Sequence, residues 1–380
     1  MCGYMPLIRA IRRVDAGLAG VLLIGLATGL CGIRSGLPGP ERRRALPSAL
    51  RADPDFALRL AESWRRLYDD IRRAHEQRLA EEPVTYVRGL VAVPPGWSFP
   101  PDALINSARS LMTQSENPDE KKTFIILSRM RPWKLQFEPL YAQYGGAFVY
   151  PFGVFLGAAH LLGLARVTPD LARYLAHPED MGRLYLLGRL FILLFHLGTL
   201  WVVHSLGRRL AGPRSGPAAA LLFAAAPFVA VGSHVLKPHP VAAFWLALAA
   251  LIMIRAVEAG RRRDFLICGT CAGLAAGGSL TLLFAAGMPL LARALGGRGS
   301  WRWAGLGAAA AVAVAAAFNP YLIFSPSSFA WELTIQAPAR WSLSPAILKE
   351  MLLRDLPRGV GLGTTLLLGA GVLHGLTGTD

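Results

Sequence analysis

The chain has 380 residues, 53% of them hydrophobic and only 17% charged, with a mean hydropathy of +0.39. A soluble domain of this length would carry about 25% charged residues, so the composition excludes an ordinary soluble globular protein. The formal charge of +16 lies largely in short Arg-rich joints between apolar blocks, which is the positive-inside pattern of a membrane protein rather than a nucleic-acid footprint.

In chain order, Arg9, Arg12 and Arg13 precede an apolar run at 16–33. This predicts a cytoplasmic N-terminus over 1–15 and a retained first span. A long polar region, 34–182, follows on the outer side. Within it Asp53-Pro54 or Asp55 can cap a helix starting near Phe56. Leu60, Trp64, Leu67 and Ile71 then form one apolar stripe, suited to the membrane surface or to packing on the core. The stretch 83–118 is irregular and Pro-rich. The block 146–165 is punctuated by Gly and Pro and reads as an interfacial or re-entrant helix on the outer side.

Further spans are predicted near 183–206, 216–236, 240–256, 264–278, 280–294, 302–323 and 358–376. A second outer loop falls at 324–357, and the last block, 358–380, reads as a final span, either of an unusually compact protein or of a truncated frame. The basic joints at 208–214, 255–263 and 293–302 face the cytoplasm only if an even number of crossings separates them. That parity breaks the run between Arg263 and Arg293 in two at Gly277-Gly278-Ser279, since one helix of that length would overshoot the bilayer. The expected fold is an all-α polytopic membrane bundle of about eight spans, with juxtamembrane helices in the long outer loop.

Several residues could carry chemistry. Asp119 and Glu120 stand in the polar loop outside the first span, where one carboxylate can serve as general base while its neighbour orients. The same residues also read as a helix start, with Asn117 or Asp119 capping a helix from Lys121 to Met130. Lys237 and His239, in Val-Leu-Lys-Pro-His-Pro, occupy a short outer turn where a cation can meet a lipid phosphate or simply snorkel. Arg183 and Arg189 open the following span. Arg189 is deep enough to require a partner, either a phosphate or Glu179 or Asp180. Trp133, Tyr144 and Tyr150 suit an interfacial aromatic belt or a sugar pocket. Glu332 either completes an acidic pocket or solvates the second loop. Cys268 and Cys271 sit inside an apolar block, and His196 and His204 share one span without a third ligand. Both pairs read as packing rather than redox or metal chemistry.

An ordered string of short motifs remains. Pro118-Asp119-Glu120 is followed by Tyr144-Gly145-Gly146 with Tyr150-Pro151, then Arg189 with Leu-Gly-Arg-Arg-Leu-Ala-Gly (206–212). Lys237-Pro238-His239 and Asn319-Pro320-Tyr321 complete it. Over about residues 110–340 the chain resembles the GT-C superfamily of integral membrane glycosyltransferases, in its dolichyl-phosphate-mannose-protein mannosyltransferase-like and aminoarabinose-transferase-like branch. Gly278-Ser279-Leu280 stands where many members have Thr-Lys-Tyr, and the usual C-terminal spans are missing.

The resemblance implies transfer of a sugar from a polyprenyl-phosphate donor to a hydroxyl acceptor with inversion, in the inner (plasma) membrane with the site extracytoplasmic. It implies Asp119 as base with Glu120 beside it, Lys237, His239, Arg189 and Arg183 at the donor phosphate, and Tyr144, Tyr150 and Glu332 around sugar or acceptor. No metal ligand is assigned, although metal use varies across the superfamily. Expected partners are membrane lipids, the lipid-linked donor and a glycan, lipid or protein acceptor, with no nucleic acid. The alternatives are a transporter or flippase, or a non-catalytic assembly factor, for lipid-linked glycans.

Overall fold

The computed structural model describes residues 16–46, 48–52, 54–62, 101–137, 144–324, 349–361 and 364–365. Among these every regular element is helical, apart from one isolated bridge between Arg131 and Gln136. The longer helices are α1 (Ala16–Leu30), α2 (Pro101–Thr113), α3 (Glu120–Arg129), α4 (Gly146–Leu161), α5 (Pro178–Ala211), α6 (Ser215–Ala225), α7 (Pro238–Ala259), α8 (Arg262–Gly278) and α9 (Trp301–Phe318).

Three of these, α5, α7 and α9, are long and apolar enough to cross a membrane, and α1, α4, α6 and the Leu280–Ala294 segment are shorter apolar helices. The protein is a helical membrane protein. With 34 residues, α5 is about 51 Å long. That exceeds a hydrocarbon core of about 30 Å, so its polar first turns and its Arg208–Arg209 end reach beyond the apolar layer.

The helices run between two chemically distinct ends. At one end Arg209 pairs with Glu258, Arg262 lies over the Trp303 ring, and the Arg298 amide donates to the Val257 carbonyl. That end gathers the C-termini of α5 and α7 and the N-termini of α8 and α9. The opposite end gathers the start of α5, the Lys237 turn before α7, Gly278 and Asn319. α1 lies against α5, with Gly25 on Leu200 and Gly29 on Leu193, so it rises toward the second end.

One predicted span is broken for a local cause, and one predicted break is present. The predicted 216–236 span is two pieces, α6 and Pro227–Gly232, because Ala226 is extended (φ −64°, ψ 125°). Pro227 disfavours helical backbone at the residue before it. The predicted break after Gly278 is present: α8 ends there, Ser279 is extended, and a 3-10 stretch Leu280–Gly287 leads into the Met288–Ala294 helix. Most of the predicted 358–376 span lies outside the described residues.

The α8–α9 seam is built from small residues. Gly269, Gly273 and Gly277 recur one turn apart on α8 and face Gly307, Ala311 and Ala315 on α9. In an apolar solvent such close backbone approach replaces hydrophobic driving force with van der Waals packing. A Cβ at Gly269 would collide with the Gly307 carbonyl oxygen. Gly269→Val is therefore expected to cost at least the ~1–3 kcal/mol of an overpacked core, read as a lower melting temperature of the purified protein in detergent. Cys268 and Cys271 are buried here as free thiols, and Cys268 Sγ lies 3.5 Å from the Ala249 carbonyl.

The outer loop forms a cap with its own core. Leu46, Phe56, Leu60, Met112 and Leu175 are buried together, so Leu60, the one stripe residue among the described residues, packs on protein beside Phe56. Trp64, Leu67 and Ile71 lie outside the described residues. A ladder of rings, Phe124 to Phe152 to Phe191 to Phe195 to Phe244, fastens α3 through α4 to α5 and α7. The start of α4 is pinned to the end of the bundle. The Gly145 amide donates to the Gly278 carbonyl (3.1 Å), and the Gly146 amide to Asn319 Oδ1 (3.0 Å). Asn319 Nδ2 donates in turn to the carbonyls of Gly277 (3.1 Å) and Ala315 (2.9 Å). Side chains at Gly145 or Gly146 would strike the Gly277 and Phe318 carbonyls. The Tyr-Gly-Gly, Gly-Gly-Ser and Asn-Pro-Tyr motifs thus meet in one buried junction that sets the height of α4.

Candidate active site

The loop before α3 is shaped by its own polar atoms. Asn117 Oδ1 accepts from the Asp119 amide (3.1 Å), an Asx turn, and α3 begins at Glu120. Asp119 occupies the N-cap position with helical backbone, yet its carboxylate makes no cap bond. The capping role expected of it goes unused, and the carboxylate points to cations instead.

Lys122 Nζ lies 2.8 Å from Asp119 Oδ1 and Lys237 Nζ lies 2.7 Å from Oδ2. The Asp119 side chain is 35% exposed and that of Lys237 29%, so both reach solvent from the mouth. Burial pushes the Asp119 carboxyl up, but hydrogen bonds from Lys122 and Lys237 outweigh it and hold the pKa at about 2. A group depressed from 3.8 contributes stability above the ordinary carboxylate range. That contribution fades as pH falls from about 4 toward 2. Because the pair is a third exposed, its net worth is small.

Glu120 faces the other way. Its side chain is fully buried and pairs bidentately with Arg189, Nε to Oε1 at 2.9 Å and Nη2 to Oε2 at 2.8 Å. Arg189 Nη1 donates to the carbonyls of Ile33 and Ser35, each at 2.8 Å. Four of its five N–H groups are thereby engaged. Arg189, expected at the donor phosphate, is instead the buried tie between α5, the end of α1 and the outer loop. Its partner is Glu120, not Glu179 or Asp180. Glu120 Oε1 also accepts from the Leu236 amide (2.9 Å), which fixes the backbone immediately before Lys237.

The remaining expected residues divide. Tyr144 is buried, and its hydroxyl donates to the Asp119 carbonyl (3.3 Å); burial, with the negative charges of Asp119 and Glu120, raises its pKa. Tyr150 donates to the Phe137 carbonyl (3.3 Å), while the Phe137 amide donates to the Tyr321 hydroxyl (2.9 Å), so Tyr150 braces the 131–137 turn. Trp133 stands 78% exposed on that turn. His239 is exposed in the first turn of α7. Arg183 is exposed and lies 4.0 Å from Asp180, apart from the Asp119–Lys237 pair. His196 and His204 are buried in α5. Glu332 lies outside the described residues. Among the described residues, no three His, Cys, Asp or Glu side chains come together.

Sequence reasoning missed the Glu120–Arg189 pair. Its one signal was an arginine placed well inside an apolar helix, which demands a partner; nothing in local spacing named a residue 69 positions away. Lys122 was also missed as the second cation on Asp119.

Compared with known families, residues 182–324 match the dolichyl-phosphate-mannose-protein mannosyltransferase family, and this stretch is GT-C glycosyltransferase-like. A search of curated proteins found no match, and neither did a search of solved structures. The matched stretch holds α5 to α9, Arg189 and Lys237, and it supports glycosyl transfer as the chemistry. Asp119 lies outside it.

Proposed function

We propose that the protein is an inverting membrane glycosyltransferase that moves a sugar from a polyprenyl-phosphate donor to a hydroxyl acceptor on the extracytoplasmic face. The observation that carries this reading is the 2.7 Å contact between Asp119 and Lys237. It sets a carboxylate from the outer loop against a cation from the family-matched core, at the end of the bundle away from the arginine-rich joints.

Lys237 receives the donor phosphate, and Lys122 adds positive charge beside it. The acceptor oxygen attacks the anomeric carbon and forms the new glycosidic bond. The bond from that carbon to the phosphate oxygen breaks, and Asp119 takes the acceptor proton. The negative charge that develops on the departing polyprenyl phosphate is met by fixed cations at the edge of an apolar medium, where water screens them weakly. Glu120 contributes by anchoring the amide next to Lys237, and Tyr144 by holding the Asp119 backbone. The exposed His239 stands two residues after Lys237, in the first turn of α7, and is assigned to the same phosphate-binding turn. Arg183 is left to the outer rim of the cap.

In the free protein a carboxyl held at about 2 is a weak base. Phosphate binding draws Lys237 away from it and lets its pKa climb. The acid limb of kcat is therefore expected at higher pH than that of kcat/KM, which follows the free protein. Profiles of the two from pH 3 to 8, an assay range of about five units, check this; coincident limbs would remove the exchange of Lys237 from the mechanism.

A radiolabelled polyprenyl-phosphate sugar assay in isolated membranes tests the function itself. Lys237→Gln is expected to raise KM for the donor about tenfold or more, the loss of a charge-assisted phosphate contact. A flippase would move the label across the bilayer without attaching it to acceptor, which defeats the reading.

A further inference from the structure

We propose that the arginine turn following α1 binds the phosphate of an anionic membrane lipid. The turn is the 3-10 segment Pro40–Ala45, Pro-Glu-Arg-Arg-Arg-Ala, with proline at its first position. Its three consecutive arginines do different things. Arg42 points inward and donates to the carbonyls of Gly36 (2.6 Å), Leu111 (2.7 Å) and Gln114, which locks the turn onto α2. Arg43 lies over the Phe56 ring at 4.9 Å. Arg43, Arg44, Arg51 and Pro40 line an open cavity of about 400 Å³.

Among the described residues, no carboxylate lines that cavity. Among the described residues, neither Arg44 nor Arg51 has a hydrogen bond or ion pair. Guanidinium groups held together without a counter-charge repel one another, and the arrangement is favourable once an anion fills it. Phosphate matches the planar fork of arginine through paired hydrogen bonds.

The position of the turn identifies the source of the phosphate. α1 presents an exposed apolar face, with Leu23, Ile24, Leu26 and Leu30 all exposed, and the arginine turn, from Pro40, follows in the chain segment that leaves its end. A lipid whose acyl chains lie on that face brings its headgroup to the level of the arginines, as juxtamembrane basic clusters do with anionic lipids. The same turn is coupled to the proposed site: the Gln114 carbonyl accepts from Arg42, and its side chain accepts from Lys121 (3.1 Å). A bound lipid would steady the 114–121 loop that carries Asp119. The proposal requires only that the chain is a membrane protein, so it stands or falls apart from the transferase reading.

The test uses the full chain in phosphatidylcholine nanodiscs, with phosphatidylglycerol titrated in and retained lipids counted by native mass spectrometry. The double variant Arg44→Gln/Arg51→Gln removes two side chains that make no hydrogen bond or ion pair among the described residues, so its melting temperature should not change. It is expected to lower phosphatidylglycerol retention about tenfold or more. Arg44→Lys/Arg51→Lys should recover part of it, because charge remains and the fork does not. Undiminished retention in the glutamine variant, or equal retention of phosphatidylcholine, overturns the proposal. Complete displacement of phosphatidylglycerol by an equal concentration of inorganic phosphate overturns the lipid assignment, since the cavity would then read the anion alone.

Discussion

Asp119→Asn is expected to lower kcat by about 10²–10⁴-fold, the ordinary contribution of a general base, while leaving the protein folded. The replacement is isosteric, and the amide oxygen can still accept from Lys237 across the 2.7 Å gap. What disappears is the negative charge and the ability to take a proton. Fold stability should scarcely change, because partly exposed ion pairs such as Asp119–Lys122 and Asp119–Lys237 are worth about 0–1 kcal/mol. Donor binding should move in the opposite direction to kcat. With the carboxylate neutralised, Lys122 and Lys237 present an uncompensated positive pair, so KM for the lipid-linked sugar should stay the same or fall. The measurement is kcat and KM for labelled donor in membranes holding equal amounts of each protein. An unchanged kcat would remove Asp119 from the chemistry, whatever the geometry of its neighbours.

The parts of the fold that were legible in the sequence are those set by local composition. The apolar blocks of α5, α7 and α9 are long enough to cross a membrane, and the parity of basic joints placed the break at Gly277-Gly278-Ser279. The same reasoning ran past Pro227, where one apolar block hides an extended residue. Hydropathy counts apolar residues and is blind to the clash between a proline ring and the residue before it.

In the site, Asp119 and Lys237 were each visible as charges beside apolar spans, although a helix cap and a snorkelling side chain accounted for them as well. Their contact crosses more than a hundred positions, and only the ordered motifs hinted at it. Arg189 was read at a phosphate because its depth in an apolar span demands a partner and the resemblance supplied one, and the same resemblance set Glu120 beside the base. Asp119 and Glu120 are adjacent, but a helix start sends their side chains in different directions, one to the mouth and one to the interior. The motifs Tyr144-Gly145-Gly146 and Asn319-Pro320-Tyr321 carried the resemblance, yet their described contacts are structural. They close backbones against each other where no side chain fits.

Glu120 should show the reverse dissociation from Asp119. Removing its carboxylate by Glu120→Ala leaves the Arg189 guanidinium, with a side chain only 5% exposed, without its counter-charge, and breaking one side of a buried pair costs about 3–5 kcal/mol. The loss should propagate, since Arg189 also holds the Ile33 and Ser35 carbonyls and Glu120 holds the Leu236 amide. The end of α1, the outer loop and the Lys237 turn would all lose a shared anchor. The expected result is a large fall in melting temperature and in membrane abundance, with activity falling in proportion to folded protein.

The double variant Glu120→Leu/Arg189→Met removes both charges together. Replacing a buried pair by apolar groups of similar size is often neutral or better, so the double variant should be more stable than Glu120→Ala despite carrying more changes. Thermal melts of the wild type and of the single and double variants measure this coupling directly. If Glu120→Ala melts with the wild type and is merely inactive, Glu120 acts in the chemistry and the buried pair is not what ties the outer loop to the bundle.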